Sequence, residues 1–244
     1  MADDATGALL WGQIIKFKDG TKEPPAAQLY YPLDDVGLAQ AEEFARTHDQ
    51  QGFSIYSCIG RLRCAPRNKG NVAELDRLVV DLDLRNIVET RDEVIAVLRS
   101  LPLTPEIRDS GRGIHAVWWL REPLVDEAGI TEAERVMRQL VGLLAADPKP
   151  THRAALLRHL GTHNSRDGGW QECRVLEEGK TCDISEFSDL FDLYGDSRLL
   201  HAKVMKTQLH STPRADACRL IWRQCDTKAN PECTIHFWVF SVLG

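Results

Sequence analysis

Along this chain the spacing of hydrophobic and polar positions switches between a period near two and a period near 3.6, and each switch predicts an element. Phe53-Ser54-Ile55-Tyr56-Ser57-Cys58 alternates as a strand, and Leu78-Val79-Val80-Asp81-Leu82-Asp83-Leu84 reads as a buried one. A strand around Ile107, a turn at Ser110-Gly111-Arg112-Gly113 and a strand from Ile114 to Leu120 follow, the last with His115, Val117 and Trp119 on one face. Gly37 to His48 is a short amphipathic helix. Thr90-Arg91-Asp92-Glu93 is a capping box opening a helix with Val94, Val97, Leu98 and Leu101 inward, ended by Pro102 and Pro105. Thr131-Glu132-Ala133-Glu134 predicts a second capped helix, with Val136, Leu140, Val141 and Leu144 inward, closing near Ala145. Further on, 154–163 reads as a short helix or strand, Cys173 to Leu176 as a strand and Ile184 to Phe191 as a helix. Residues 1–35, with Pro24, Pro25 and Pro32, form an extended lead-in. Residues 195–214 read as a linker, Ala215 to Cys225 as one more helix, and Cys233 to Phe240 as an apolar stretch. Strands, helices and hairpins in mixed order predict an α/β (α+β) fold rather than a pure βαβ series.

Composition narrows the classes without choosing among them. Hydrophobic content of 43% and charged content of 27% are ordinary for a globular protein of 244 residues. No apolar run approaches the roughly 20 residues that span a bilayer. Met1 to Thr6 is acidic, unlike a secretory leader, so the expected location is cytoplasmic. Seven cysteines without a CxxC pair argue against a zinc ribbon and against a disulfide framework. The net charge of −6 excludes a broad cationic coat. Two basic groups stand out all the same: Arg61, Arg63, Arg67 and Lys69, then His152, Arg153, Arg158, His159, His163 and Arg166. Basic clusters on an acidic chain point to focused phosphate sites.

The candidate chemistry starts at Asp81 and Asp83. On a strand both carboxylates project from one face while Val80, Leu82 and Leu84 project from the other. Like charges that close repel, and a hard cation such as Mg²⁺ or Mn²⁺ relieves the repulsion. Next comes Ser110-Gly111-Arg112-Gly113-Ile114-His115, where glycines let backbone N–H groups approach an anion, and Arg112 and His115 can donate to phosphate oxygens. Asp147 then precedes Leu156-Leu157-Arg158-His159-Leu160-Gly161-Thr162-His163-Asn164-Ser165-Arg166. Each segment alone is equally a solvated strand end, a plain hairpin or a polar connection.

In this order the three segments resemble the catalytic domain of archaeo-eukaryotic-type primases, in particular the primase-polymerase branch of phages, plasmids and other mobile elements. That family carries a D-x-D or D-x-E strand, an S-G-x-G-x-H turn, a third acid and, in this branch, an R-x-P-G-T-x-N-x-K segment. Leu160 stands where proline is usual, and Arg166 where lysine is usual. The resemblance spans roughly residues 50–190. It implies an N-terminal α/β module joined to an RRM-like module, with the catalytic domain at 36–194, the lead-in before it and a linker and C-terminal segment at 195–244. It also implies a DNA primase and polymerase working by two-metal nucleotidyl transfer. Asp81, Asp83 and Asp147 would hold two Mg²⁺ or Mn²⁺ ions, with Asp126 and Asp167 as alternative third acids. Ser110, Arg112, His115, Arg158, Asn164, Arg166 and Lys69 would hold the nucleoside triphosphate or the single-stranded DNA template, with His115 beside the acids. No Walker A motif occurs, so a replicative helicase would be a separate protein, or this chain an isolated portion. No membrane partner is implied, and the resemblance implies a bacterial or phage-infected cell as the location.

Other readings make different demands. A nicking initiator needs a tyrosine nucleophile and a His-x-His metal pair; the chain has tyrosines at 30, 31, 56 and 194 and no His-x-His. An inactive relative that binds DNA or nucleotide has no reason to keep repelling carboxylates, and a plain interaction domain would bind neither metal nor nucleotide.

Overall fold

A twelve-residue strand, Val72–Asp83, organises the molecule in a computed structural model that describes residues 11–17, 27–165, 169–195 and 197–203. In chain order the elements are β1 (Trp11–Phe17), β2 (Ala27–Pro32), α1 (Asp35–Asp49), β3 (Ser54–Cys58), β4 (Arg61–Leu62), a 3₁₀ turn (Lys69–Asn71) and β5 (Val72–Asp83). There follow α2 (Arg91–Ser100), β6 (Glu106–Asp109), β7 (Gly113–Leu124), α3 (Glu127–Leu144), β8 (Leu156–Arg158), β9 (His163–Asn164), β10 (Gln171–Glu172), β11 (Arg174–Glu177) and α4 (Glu186–Tyr194). Among the described residues nine strands join one sheet in the order β11-β6-β7-β5-β4-β1-β3-β8, with β2 also on β1 and every named pair antiparallel. The α/β reading holds in this mixed form.

Register assigns the two faces of the sheet. Leu78, Val80 and Leu82 oppose Trp118, Ala116 and Ile114 across β5 and β7, and all six are fully buried. This face carries the helices: α2 adds Val94 and Leu98, α3 adds Val136, Met137 and Leu140, and Phe187 of α4 meets Trp118 edge-to-face at 6.1 Å. Burying side chains of this size stabilises by about 1.5–3 kcal/mol each, which makes this the main core. The other face carries Asp83, Asp81 and Arg77 opposite Gly113, His115 and Trp119. A smaller core under α1 joins Ile14, Tyr31, Ala41, Ala45 and Ile55.

Several expectations are met with shifted edges, and some are corrected. Thr90 caps α2, with both halves of the capping box formed, although Ile95 rather than Val97 is fully turned inward. The second capping box is not the start of its helix. The cap of α3 lies five residues earlier, because Asp126 accepts the Gly129 N–H at 2.8 Å, which leaves Thr131 inside the helix, bonded back to Glu127. The lead-in contributes β1 and β2 to the sheet, since Ile14, Ile15 and Tyr31 find buried partners there. The start of the supposed linker is tied down too, with Leu200 buried and Ala202 bridging Ile87. Ala215 to Cys225 and the apolar stretch 233–240 lie outside the described residues. Among the described residues no helix is long and apolar enough to cross a membrane.

Candidate active site

Asp81 sits where two chain segments flank β5. On one edge His115 of β7 faces it in register, with Nε2 3.8 Å from the Asp81 carboxylate. On the other edge the Asp147 N–H donates to the Asp81 carbonyl at 2.8 Å, so Asp147 continues the ladder for one residue. Burial first, then the charges of Asp147 and Asp83, raise the Asp81 carboxyl to about 7, with Arg158 and Lys149 only partly offsetting them. His115 goes the opposite way. It is 3% exposed, and burial together with the Arg108 and Arg158 charges pushes it down to about 3. The imidazole beside Asp81 is therefore neutral.

Asp83 has a different neighbour. Arg85 clasps its carboxylate, with Nε at 2.9 Å from one oxygen and a terminal nitrogen at 2.6 Å from the other, and the Arg85 backbone N–H adds 3.1 Å. Asp147 accepts the Lys149 backbone N–H at 2.9 Å. Oxygen donors of this kind suit Mg²⁺ or Mn²⁺, and the raised Asp81 carboxyl marks a place short of positive charge. The three side chains are gathered but not closed: among the described residues no three acid, histidine or cysteine side chains form a cage. Arg85 is 60% exposed, so its release from Asp83 requires no repacking.

The glycine turn is shaped by close approaches. Gly111 has φ +88°, and a Cβ there would lie 2.7 Å from the Asn164 Cβ; one on Gly113 would lie 2.5 Å from the Leu82 carbonyl oxygen. These contacts let β9 dock on the turn, where the buried Asn164 amide donates to the Ser110 carbonyl at 3.2 Å. Ser110 is buried, and Arg112 half-buried at the tip. Arg158 is 5% exposed and serves as an internal clamp, donating to Ser54, to the Tyr56 hydroxyl at 3.1 Å and to the His163 carbonyl at 2.9 Å. Its charge still reaches both Asp81 and His115. Lys69 is exposed on the 3₁₀ turn, and its charge bears on His152. Arg166 and Asp167 lie outside the described residues, and Asp126 is occupied as the cap of α3.

Two clefts carry basic side chains, and the first of them adjoins the acids. One of about 350 Å³ includes Asp81, Asp147, Arg67, Lys149 and His152 in its lining. The other, about 470 Å³, carries Arg77, Arg108, Arg158, His159 and Trp119, with the Arg77 guanidinium 4.2 Å from the Trp119 ring centre. Sequence reasoning missed Arg85, Arg108 and Lys149. Arg85 and Lys149 each stand two residues beyond an acid, which is the signal that was available.

No protein-family description and no curated protein matches the chain. Solved structures do match. The primase-polymerase domain of cyanophage S-2L aligns with TM-score 0.55 and 14% identity over 75% of this chain and 89% of that one. The catalytic domain of primase RepB′, solved with initiator DNA, aligns with TM-score 0.50 and 14% identity over the same shares, 75% and 89%. The chain has the fold of archaeo-eukaryotic-type primase-polymerase domains.

Proposed function

We propose that this chain is a DNA-templated nucleotidyltransferase, a primase-polymerase acting on single-stranded DNA with nucleoside triphosphates in the replication of a phage, plasmid or other mobile element. The observation that carries this reading is the crowding of Asp83 and Asp147 onto Asp81, beside a neutral buried histidine and a glycine turn. The fold shared with a primase solved on initiator DNA supports it.

Asp81, Asp83 and Asp147 would hold two divalent ions, Asp83 after leaving Arg85. When bound, such ions activate an attacking 3′-hydroxyl and neutralise a leaving pyrophosphate. The chain's own groups position the substrates. The Ser110–Gly113 turn, whose Ser110 and Gly111 N–H groups are spent on the Gly113 carbonyl and Asp109, presents Arg112 to the triphosphate, and His115 presents an imidazole that gains a proton as phosphate charge arrives. Asn164 holds the turn in place, Arg158 fixes β3, β8 and β9 around it, and Lys69 and Arg166 would add positive charge for the substrates. Positioning and charge neutralisation are most of what phosphoryl-type transfer asks of a protein.

The test is synthesis of a labelled strand on single-stranded DNA with Mn²⁺ and nucleoside triphosphates. Wild-type protein yields template-dependent product, and Asp81→Asn and Asp83→Asn yield none; undiminished product from both variants would refute the assignment. A binding-only role is the second reading, favoured by the Arg85 clasp on Asp83. It predicts DNA or nucleotide retention with no product from any form.

A further inference from the structure

Trp170 holds an indole ring in solvent beside the glycine turn. It is 52% exposed and lies flat on the His163 imidazole, with ring centres 4.4 Å apart and planes 13° from parallel. A lone exposed aromatic is ordinary on a protein surface, but this one is held in place. Asp49, the last residue of α1, is buried and accepts both donors of His163, the backbone N–H at 2.6 Å and Nδ1–H at 2.7 Å. With one face of the indole covered by His163, the exposure falls on the opposite face and the edges. The next residue, Gln171, packs against the turn: a Cβ on Gly111 would lie 3.2 Å from both the Gln171 Cβ and the Gln171 carbonyl oxygen. β10 pairs Gln171 with Asn164, whose amide holds Ser110. The ring therefore stands one residue from the contact that shapes the turn.

We infer that Trp170 is a stacking platform for one unpaired base of the single-stranded DNA template, ahead of the position being copied, with His163 and Asp49 as its positioning residues. The inference rests on the nucleotidyl-transfer reading. A template must be held whatever its sequence, and stacking does this because every base offers a π-face. The incoming nucleotide is the poorer occupant. Its triphosphate belongs with Arg112 and His115, and its base must stay free to pair with the template over the acids. A template base not yet copied has no partner and is free to stack. Arg112 at the tip of the turn and exposed Arg174, which opposes Asp109 in register, bring positive charge for the phosphates of such a strand. A ring already fixed loses little freedom on binding, so more of the stacking energy is left as affinity.

The test is an abasic scan. Binding is measured by fluorescence anisotropy with primed templates whose 5′ overhang carries one abasic position, moved stepwise along the uncopied strand. Wild-type protein loses about fivefold or more in affinity at one position, the low end of base–aromatic stacking. Trp170→Leu binds the intact template about as weakly as the wild type binds that abasic one, and the abasic position costs it nothing further. Trp170→Phe recovers part of the difference. Losses that simply add, or Trp170→Leu binding as tight as the wild type, overturn the platform. A raised KM for nucleoside triphosphate in Trp170→Leu with template affinity unchanged also overturns it, since the incoming base would then occupy the ring. His163→Leu shrinks the abasic penalty without moving its position; a full-size penalty in that variant overturns the supporting role of His163. A wild-type protein that shows the abasic penalty yet makes no product overturns the nucleotidyl-transfer reading and upholds Trp170 as a site for single-stranded DNA.

Discussion

The Asp147 backbone N–H reaches the Asp81 carbonyl at 2.8 Å, so main chain, not a chance loop position, fixes the third acid beside the first. The electrostatic cost falls on Asp81, whose carboxyl rises to about 7 through burial and then through the Asp147 and Asp83 charges. Asp147→Asn keeps the main-chain link and removes one of those charges. Carboxyl-carbon NMR titration of the variant should show Asp81 ionising at a lower pH than in the wild type; an unmoved titration would separate the two acids.

A raised carboxyl means that the folded protein holds a proton the unfolded chain has already released. Stability from Asp81 is therefore complete below the ordinary carboxylate range, from 3.8, and is lost as pH rises through about 7. Asp81→Asn should stabilise the protein at pH 8 by on the order of 1 kcal/mol, with no gain at pH 4 and with loss of strand synthesis. Urea unfolding at the two pH values checks the sign.

His115 has the opposite linkage. Its folded value near 3 lies below the ordinary 6.5, so its contribution is present above 6.5 and is lost as pH falls from there toward 3. His115→Gln should flatten the acid limb of the stability curve between those values. A limb as steep as the wild type would show that other groups set it.

Arg85→Ala frees the Asp83 carboxylate from a competing cation. Because an exposed pair of this kind contributes about 0.2–1 kcal/mol, Mn²⁺ should bind up to about fivefold more tightly, read from free Mn²⁺ in electron paramagnetic resonance. Unchanged or weaker binding would mean that Arg85 does not compete for that position.

Gly113→Ala places a Cβ 2.5 Å from the Leu82 carbonyl oxygen, where β5 and β7 run in register next to Asp83. Overpacking against backbone should cost about 1–3 kcal/mol in denaturant unfolding. An alanine protein as stable as the wild type would show that the glycine is not required for that approach.

Much of this arrangement was legible because it is local. The alternation through Asp81 and Asp83, the Thr90 capping box and the Ser110–His115 turn depend on neighbours within a few residues. The start of α3 was misplaced because two polar residues five apart, Asp126 and Thr131, both suit a cap, and only the end of β7 decides between them. Pairing of β1 with β3 and β4 was not legible, since the sheet order joins segments distant in sequence. Arg67 meets His152 for the same reason. The clasp of Arg85 on Asp83 is a side-chain choice between water, acid and cation, so the two-residue spacing permits it without deciding it.

The central claim is that Asp81, Asp83 and Asp147 form one cation-dependent transfer centre. The most direct measurement is a crystal structure with Mn²⁺ and a non-hydrolysable nucleoside triphosphate, read by anomalous scattering. The account predicts manganese on all three carboxylates, Arg85 turned away from Asp83, and triphosphate oxygens at the Ser110–His115 turn. Manganese bound elsewhere, with Arg85 still on Asp83, would contradict it.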